Sequence, residues 1–508
     1  MSSIIKESLK TSVINYVGIL LGAFFTLYLT PKFFPTEYNG LYRLLLEYSA
    51  IAAVYFHFGI PTLINKYYHR INYESSITKG FDFFVFIFPI IILIIFGVFL
   101  YFFRSDLTRI IASKDDYSLV FKYILFLIPL IVCNAYFLIF EAYSAMLGNI
   151  AFVNFVKNII LKIFNIFSIL LYIVTNDFDT VMLIVSIGYV LSTLLVFIYI
   201  IKLKEYKINL RPSLDFLKKN NLSKDFIKFF LFICLSNLTF FLLSKIDIFF
   251  VAKFTNISNL AYYSTATFFV TLLLVPYAAV LNISFPRIAR SYTDNNVEEL
   301  KSLIINNSIY GFTLALYVFI LIWSNLDTVY YYVPKGNLYK AGKYIFLILS
   351  IGRLIDISIG SIGQLITISK WYFYTLYSSV AISLISIVLG YYLTSQFGII
   401  GAALSISFCL LISVIFQLSI AKIKLGIHPY NKKVIIIVVA AVLLIGLCFF
   451  IDYLITSLLL ASLIKIFFST LIYFYIVYKF EVSQELTYIL KQIRLFLLSN
   501  IIKKKNRF

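Results

Sequence analysis

The chain carries about fourteen apolar runs, each long enough to cross a bilayer as a helix, and this feature limits most strongly what it can fold into. A helix needs about 20 mostly apolar residues to cross hydrocarbon about 30 Å thick. The runs lie near 11–29, 41–63, 81–103, 119–147, 158–174, 180–201, 226–252, 260–285, 303–323, 341–367, 373–394, 399–421, 434–452 and 457–478. Runs such as 89–103 do not alternate between apolar and polar residues, which argues against membrane strands. We therefore predict an all-α polytopic membrane protein.

The composition leaves no room for a large soluble domain. Of the 508 residues, 61% are hydrophobic and only 13% are charged. The 40 tyrosines, 53 phenylalanines and 2 tryptophans include many that stand at the ends of apolar runs, where an interfacial belt would lie. The four cysteines lie inside apolar runs, without the spacing of metal ligands, and the three histidines are scattered. We expect no metal site and no cofactor.

The distribution of basic residues predicts the orientation of the chain. An even number of spans places both termini on one side. The loops and tails of that side hold 29 lysines and arginines, and the loops of the other side hold 7. By the positive-inside rule, both termini are predicted to be cytoplasmic. The same sorting explains the net charge of +20 by contact with an anionic lipid leaflet, so no nucleic-acid partner is implied.

A basic linker divides six spans from the next six, which suggests an internal repeat. With an offset of 221 residues and no gaps, Lys32 falls on Lys253 and Tyr42 on Tyr263, and both copies have the same orientation. We predict two six-helix bundles in parallel pseudo-repeat, followed by two further transmembrane helices. The predicted parts are a bundle at 1–201, a cytoplasmic linker at 202–225, a bundle at 226–425, two added helices at 426–479 and a basic amphipathic cytoplasmic tail at 480–508, which would lie on the membrane surface.

Seven charged residues inside the predicted spans are the candidate functional residues, because a charge in the bilayer is costly unless it is paired or faces water. They are Arg43, Glu47, Glu141, Lys245, Asp247, Arg353 and Asp356. Arg43 and Glu47 are i,i+4 neighbours, and Arg353 and Asp356 are i,i+3 neighbours in a segment that three glycines are predicted to loosen. Such pairs serve either as salt bridges that hold a bundle together or as the lining of a wet cavity. Coupling to a proton or sodium gradient needs a carboxylate that can change partners, and Glu141 is one candidate.

Several segments of the chain resemble Wzx-type polysaccharide flippases, of the multidrug/oligosaccharidyl-lipid/polysaccharide exporter superfamily. The resemblance covers nearly the whole chain and is most specific between Tyr339 and Pro429. The matching positions are 15–18, 31–33, 40–43, 246–247, 261–264, 354–356, 360, 363, 369–370, 398–404 and 428–429.

The resemblance implies a transporter and not an enzyme. It implies that undecaprenyl-pyrophosphate-linked oligosaccharide, as used for O-antigen, capsule or exopolysaccharide, moves from the cytoplasmic to the outer leaflet of the bacterial inner membrane by alternating access. Its partners would be membrane lipids and the glycan polymerase and chain-length regulator of the same pathway. On this reading Arg43, Arg353 and Lys245 bind the substrate phosphates, since guanidinium forks suit phosphate. Asp247, Asp356, Glu47 and Glu141 are the candidates for ion coupling or gating.

Two other classes of function remain open from the sequence. A drug-efflux pump for cations would favour an acidic cavity, whereas the deep carboxylates here have basic neighbours. A membrane glycan polymerase or ligase would carry a large periplasmic loop, and the longest loop predicted on that side runs only from Arg104 to Ser118.

Overall fold

A computed structural model describes residues 3–64, 81–147, 149–202, 245–430, 432–483, 486–488 and 491–492. Every regular element within these ranges is a helix. The helices are α1 (Ser3–Ala23, continued by Phe24–Leu29 and Thr30–Phe33), α2 (Thr36–Phe56), α3 (Phe81–Phe102), α4 (Arg104–Ile111), α5 (Tyr117–Met146), α6 (Ile150–Thr175), α7 (Phe178–Lys202), α8 (245–254), α9 (Ile257–Thr293), α10 (Val297–Tyr332), α11 (Gly342–Ser358), α12 (Ile362–Ile368), α13 (Phe373–Ile420, continued by Ala421–Leu425), α14 (Lys433–Leu454) and α15 (Leu458–Lys479).

Ten helices of the described part are long and apolar enough to cross a membrane. An eleventh span is formed if the bent pair Gly336–Ser358 and Ile362–Ile368, which meet at 53°, is taken as one. The prediction of an all-α multi-pass membrane protein is therefore confirmed. The predicted total of fourteen stays a prediction, because most of the span at 226–252 lies outside the described residues.

Helix α2 differs in its bounds from the span predicted at 41–63. It ends at Phe56, because Phe58 and Gly59 take left-handed backbone angles of φ 49° and 68°. Its polar residues, Arg43 and Glu47 among them, lower its mean hydropathy, and it is not one of the ten apolar helices. The helix that holds two candidate site residues is thus less apolar than the ten helices suited to cross a membrane.

The spans predicted at 373–394 and 399–421 fall within one continuous element, α13. At about 1.5 Å per residue, the 53 residues from Phe373 to Leu425 would extend about 80 Å if straight, far beyond the membrane thickness. Gly398 interrupts the helix with φ 57° and ψ −137°, a conformation that only glycine adopts readily. The helix therefore bends back at Gly398.

The predicted loop between Arg104 and Ser118 contains the helix α4, which is amphipathic. The Arg104 guanidinium donates to the backbone carbonyl of Phe121, and its carbon Cζ lies 3.9 Å from the centre of the Phe121 ring. This contact ties the start of α4 to α5.

The chain divides into two compact units. Unit 1 comprises Met1–Tyr262, Val333–Lys335 and Gly390–Ala402. In its described part, α5 packs against both α2 and α7, and α6 packs against α7. Gly40 on α2 is required here, because a Cβ atom would lie 1.9 Å from the carbonyl oxygen of Ile257. Unit 1 thus positions α2, the helix that carries both Arg43 and Glu47.

Unit 2 comprises Tyr263–Tyr332, Gly336–Leu389 and Ala403–Phe508. Helix α10 packs against α11, α14 and α15, and so it joins the last two helices to the rest of the unit. The Lys465 side chain on α15 is only 2% exposed. Its ammonium lies 2.8 Å from a carboxylate oxygen of Asp452 and donates to the carbonyl of Ser324 on α10. This buried ion pair fastens α14 and α15 to α10.

The predicted domain boundaries stay predictions. The linker at 202–225 lies outside the described residues apart from Lys202, and most of the tail at 480–508 also lies outside them. Within the tail, the described residues 486–488 and 491–492 are helical.

Candidate functional site

Two of the predicted site residues, Arg43 and Glu47, lie one turn apart on α2. The neighbouring side chains of Tyr42, Leu44 and Leu45 are fully buried and anchor the helix. The Arg43 guanidinium lies 5.9 Å from the centre of the Phe25 ring on α1, within the range of a cation–π contact. The i,i+4 spacing places both charged groups on one face of α2.

Lys245 reaches this face from a distant part of the chain. Its ammonium lies 2.7 Å from the carboxylate of Glu47, across 198 residues of sequence. The side chains of Lys245 and Glu47 are 38% and 31% exposed, so the pair is only partly covered. The structure thus brings together two residues that lie in different predicted spans, 41–63 and 226–252.

A third cation, Lys162 on α6, belongs to the same group, and sequence analysis missed it. Lys162 is half-buried and interacts electrostatically with both Arg43 and Glu47. We call Arg43, Glu47, Lys162 and Lys245 the cationic cluster. Three cations and one carboxylate give these four residues a formal net charge of plus two. Lys162 has no acidic neighbour at helical spacing, and an unmatched lysine in an apolar run was the signal that could have identified it.

Polar side chains line the helices beside the cationic cluster. Asn134 on α5 donates its amide to the hydroxyl of Ser49 on α2, at 3.1 Å. Tyr189 on α7 interacts electrostatically with Glu47. Asn165 is buried one turn from Lys162, and its side-chain oxygen Oδ1 has no hydrogen-bond partner in the described part of the chain. This region of unit 1 therefore combines positive charge with hydroxyl and amide groups.

Two other carboxylates were predicted as site residues in unit 1, Asp247 and Glu141. Asp247 is 6% exposed, and it lies two residues beyond Lys245 on α8. Residues at that spacing point to different sides of a helix. Glu141 on α5 accepts from the Lys157 ammonium of α6 at 2.9 Å, in a partly exposed ion pair. Glu141 thus has a cationic partner on the neighbouring helix.

In unit 2, the predicted pair of Arg353 and Asp356 lies on α11. The guanidinium and carboxylate are 3.7 Å apart, and the side chains are 28% and 27% exposed. Asp356 also interacts electrostatically with Tyr277 on α9, whose hydroxyl donates to the carbonyl of Gly360 at 2.6 Å. This pair is therefore local to one helix and electrically balanced.

The sequence predicted that three glycines loosen the segment around this pair, but only one of them lies at a break in the helix. Gly360 does mark the break between α11 and α12, with φ of 61°. Gly352, however, is a packing residue, because a Cβ atom there would lie 2.9 Å from Cα of Ser407 on α13. A Cβ atom at Gly363 would lie 2.8 Å from the side-chain oxygen of Gln417, so this position is also packed. The small size of Gly352 therefore allows close contact between α11 and α13.

The described residues contain no group of three histidine, cysteine or acidic side chains that could hold a metal ion. The guanidinium and two ammonium groups of the cationic cluster are donors that can bind an anion. Arginine can hold two phosphate oxygens at once, and lysine acts as a compact charge with three donors.

Comparison with known proteins relates the whole fold to membrane transporters. No protein-family model and no curated protein matches the sequence significantly. Among solved structures, the lipid II flippase MurJ in an inward closed conformation superposes with a TM-score of 0.75 at 16% identity, over 93% of this chain and 98% of that one. The chain therefore shares the fold of the MurJ structure.

Two multidrug transporters share this fold less closely. An inward-facing multidrug resistance MATE family transporter of the MOP superfamily matches with a TM-score of 0.58 at 16% identity, over 84% of this chain and 98% of that one. The MATE transporter VcmN from Vibrio cholerae matches with a TM-score of 0.51 at 13% identity, over 84% and 99%.

Proposed function

We propose that the protein is a flippase for a lipid-linked oligosaccharide whose phosphates bind at the cationic cluster. The observation that carries the proposal is the gathering of Arg43, Lys162 and Lys245 around the Glu47 carboxylate on helices of unit 1. A net positive group inside a membrane protein is costly unless it meets an anion or water. The fold shared with a lipid II flippase supports the same conclusion.

The arrangement of the four residues suits the binding and release of a phosphate group. With the site empty, Glu47 neutralises Lys245 at 2.7 Å. An arriving phosphate competes with Glu47 for Lys245 and takes additional contacts from Arg43 and Lys162. Because the Glu47 carboxylate stays close, it can pair with Lys245 again when the phosphate leaves. Such an exchange keeps binding reversible, as transport requires.

The polar groups beside the cationic cluster suit a sugar attached to the phosphate. The amide and hydroxyl groups of Asn134, Asn165 and Ser49 can exchange hydrogen bonds with sugar hydroxyls. We infer that the substrate is an undecaprenyl-pyrophosphate-linked repeat unit of O-antigen, capsule or exopolysaccharide, as the sequence resemblance implies. The protein would then act in the bacterial inner membrane with both termini in the cytoplasm, alongside the polymerase and chain-length regulator of that pathway.

Arg353 is proposed as a second, weaker phosphate contact. Asp356 holds its guanidinium at 3.7 Å and balances its charge, so a phosphate gains less there than at the cationic cluster. Asp356 is then the residue that positions Arg353 between binding events.

Coupling to a proton or sodium gradient is proposed to use Asp247, a buried carboxylate one turn or less from Lys245. An ion can bias the cycle only if it binds two states unequally. Asp247→Asn keeps the shape and removes the charge, and we expect transport to lose its dependence on the ion gradient. Unchanged gradient dependence would direct attention to Glu141.

The proposed function is tested with purified protein in vesicles that contain a fluorescent undecaprenyl-pyrophosphate-linked oligosaccharide. Arg43→Ala and Lys245→Ala are each expected to lower the rate of flipping about tenfold or more, since a hydrogen bond to a charged group contributes about 1.5–3 kcal/mol. The control is Arg290→Ala, which removes an arginine from an exposed local ion pair with Asp294. Full activity of both cluster variants would contradict the proposal.

A drug-efflux function is the alternative that the MATE-like fold keeps open. An organic cation would be repelled by the net positive cationic cluster, which favours the flippase. Efflux of cationic dyes by the same vesicles, blocked by Glu47→Gln, would support the alternative. A glycan polymerase or ligase is less favoured, because only the short α4 and its flanking residues occupy the segment between α3 and α5.

A further inference from the structure

A second cationic site lies in unit 2, where two lysines meet over one tryptophan. The Lys370 ammonium lies 5.4 Å from the centre of the Trp371 ring, and the Lys424 ammonium lies 4.8 Å from it. Lys370 precedes α13, and Lys424 lies in its last turn. The two ammonium groups are therefore no more than about 10 Å apart, the sum of the two distances.

The backbone around Trp371 is fixed by hydrogen bonds. The backbone N–H of Trp371 donates to the hydroxyl of Ser369 at 3.1 Å, and Ser369 is buried. The backbone N–H of Lys370 donates to the hydroxyl of Tyr292 on α9 at 3.2 Å. The backbone that carries Lys370 and the indole of Trp371 is thus held in place.

Neither lysine has a carboxylate within ion-pair distance in the described part of the chain. Lys343 offers a comparison, because it also lies over a tryptophan. Its ammonium is 5.2 Å from the centre of the Trp323 ring and 2.6 Å from a carboxylate oxygen of Asp327. An ammonium over a ring keeps donors free for another partner, since each lysine has three. Two like charges that share one ring repel each other, and an anion between them would remove that repulsion.

The surroundings of Trp371 are those of a membrane interface. Tyr372 and Ile423 are 51% and 74% exposed beside the two lysines. Trp371 also lies between the transmembrane segments α12 and α13, and Lys424 lies at the far end of α13. Aromatic and basic residues at the ends of membrane helices lie at the level of the lipid headgroups.

We propose that Lys370, Trp371 and Lys424 form a binding site for the phosphate of an anionic phospholipid headgroup. The phosphate oxygens bridge the two ammonium groups, and the exposed side chains of Tyr372 and Ile423 contact the acyl chains of the same lipid. The site is separate from the cationic cluster and does not depend on the proposed transport function. The predicted orientation places it at the cytoplasmic leaflet, where anionic lipids give a negative surface potential.

The chain offers a direct fluorescence test, because Trp323 and Trp371 are its two tryptophans. The variant Trp323→Phe reports on Trp371 alone. It is placed in phosphatidylcholine vesicles that contain a minor fraction of lipid brominated on its acyl chains, with either a phosphatidylglycerol or a phosphatidylcholine headgroup. Bromine atoms quench the fluorescence of a tryptophan that they contact. We expect brominated phosphatidylglycerol to quench Trp371 more strongly than brominated phosphatidylcholine at equal fractions.

Substitutions then separate a bound headgroup from general surface charge. Lys370→Gln and Lys424→Gln in the Trp323→Phe chain are each expected to lower the phosphatidylglycerol preference about fivefold, since one lysine near an anionic surface contributes about a factor of that size. The matched control is Lys422→Gln, which removes an exposed lysine on the same turn that does not lie over the ring. The Lys422→Gln chain is expected to keep most of the preference for phosphatidylglycerol.

Three results would overturn the proposal. They are equal quenching by the two headgroups, a preference that survives Lys424→Gln, and a loss in Lys422→Gln as large as that in Lys424→Gln. If Trp323→Phe does not fold, the quenching of Trp371 is obtained from the unsubstituted chain by subtracting that of Trp371→Phe. The same Trp371→Phe chain reports on Trp323, where a lysine is already paired, and should show little headgroup preference.

Discussion

The cationic cluster in unit 1 and the Arg353–Asp356 pair in unit 2 are both charged sites within membrane helices, but they are built differently. The cluster takes its residues from α2, α6 and α8, and cations outnumber carboxylates three to one. The pair takes both residues from α11 and is balanced at 3.7 Å. The pair lies within one helix, whereas the cluster brings three cations from three helices to one carboxylate. The difference indicates that an unbalanced charge count across several helices is a better sign of an anion site than a charged pair by itself.

The strongest test of this comparison removes the cations from each site in turn. We expect Arg43→Ala with Lys245→Ala to lower flipping of the lipid-linked oligosaccharide about 100-fold or more, because two charged contacts are lost. We expect Arg353→Ala with Asp356→Ala to lower it about tenfold or less. Transport rates in vesicles measure both, with the amount of folded protein as the control. A larger loss of transport from the Arg353 and Asp356 substitutions than from the Arg43 and Lys245 substitutions would contradict this comparison.

The second test asks whether Lys162 contributes its charge or only its bulk. Lys162→Met removes the charge at similar length, and we expect about a tenfold loss of transport. Lys162→Arg keeps the charge and should retain most of the activity. Equal activity of Lys162→Met and the unsubstituted chain would exclude Lys162 from the site.

A third test measures the coupling between Glu47 and Lys245. A double-mutant cycle with Glu47→Gln and Lys245→Gln is expected to give a coupling of about 1 kcal/mol in the free energy of unfolding, since the pair is about one third exposed. Single Glu47→Gln should be less stable than the double variant, because it leaves three cations without their carboxylate. Additive effects of the two substitutions would show that the pair is not coupled.

The smallest expected effects come from exchanging arginine for lysine. Arg43→Lys loses the forked contact with phosphate and should lower transport several-fold, by about 1 kcal/mol. Arg353→Lys should change it by less than about threefold, because Asp356 already occupies one side of the guanidinium. Similar losses at both positions would indicate that the two arginines contact the substrate equally.

The sequence was sufficient to predict the helical fold and the residues of the local pair, since both depend on short-range spacing. Most apolar runs in the described residues correspond to helices long and apolar enough to cross a membrane, and the i,i+3 spacing of Arg353 and Asp356 places them in contact. The pairing of Glu47 with Lys245 could not be predicted, because it joins helices 198 residues apart. Lys162 was missed for the same reason, as its partners lie on another helix. The end of α2 at Phe56 depends on left-handed angles at Phe58 and Gly59, which apolar patterning does not record.

The bend at Gly398 has a consequence for how the protein is made. From Trp371 to Ala421 the chain has 51 residues without a single charge, so nothing near the bend can orient this stretch as it leaves the ribosome. The basic residues that can hold it lie just outside, at Lys370 and at Lys422 and Lys424. Both ends therefore stay on one side of the membrane while the two apolar arms insert together as a hairpin. Lys370 and Lys424 contact the same indole, and this contact joins the two ends of the hairpin once both arms are inserted.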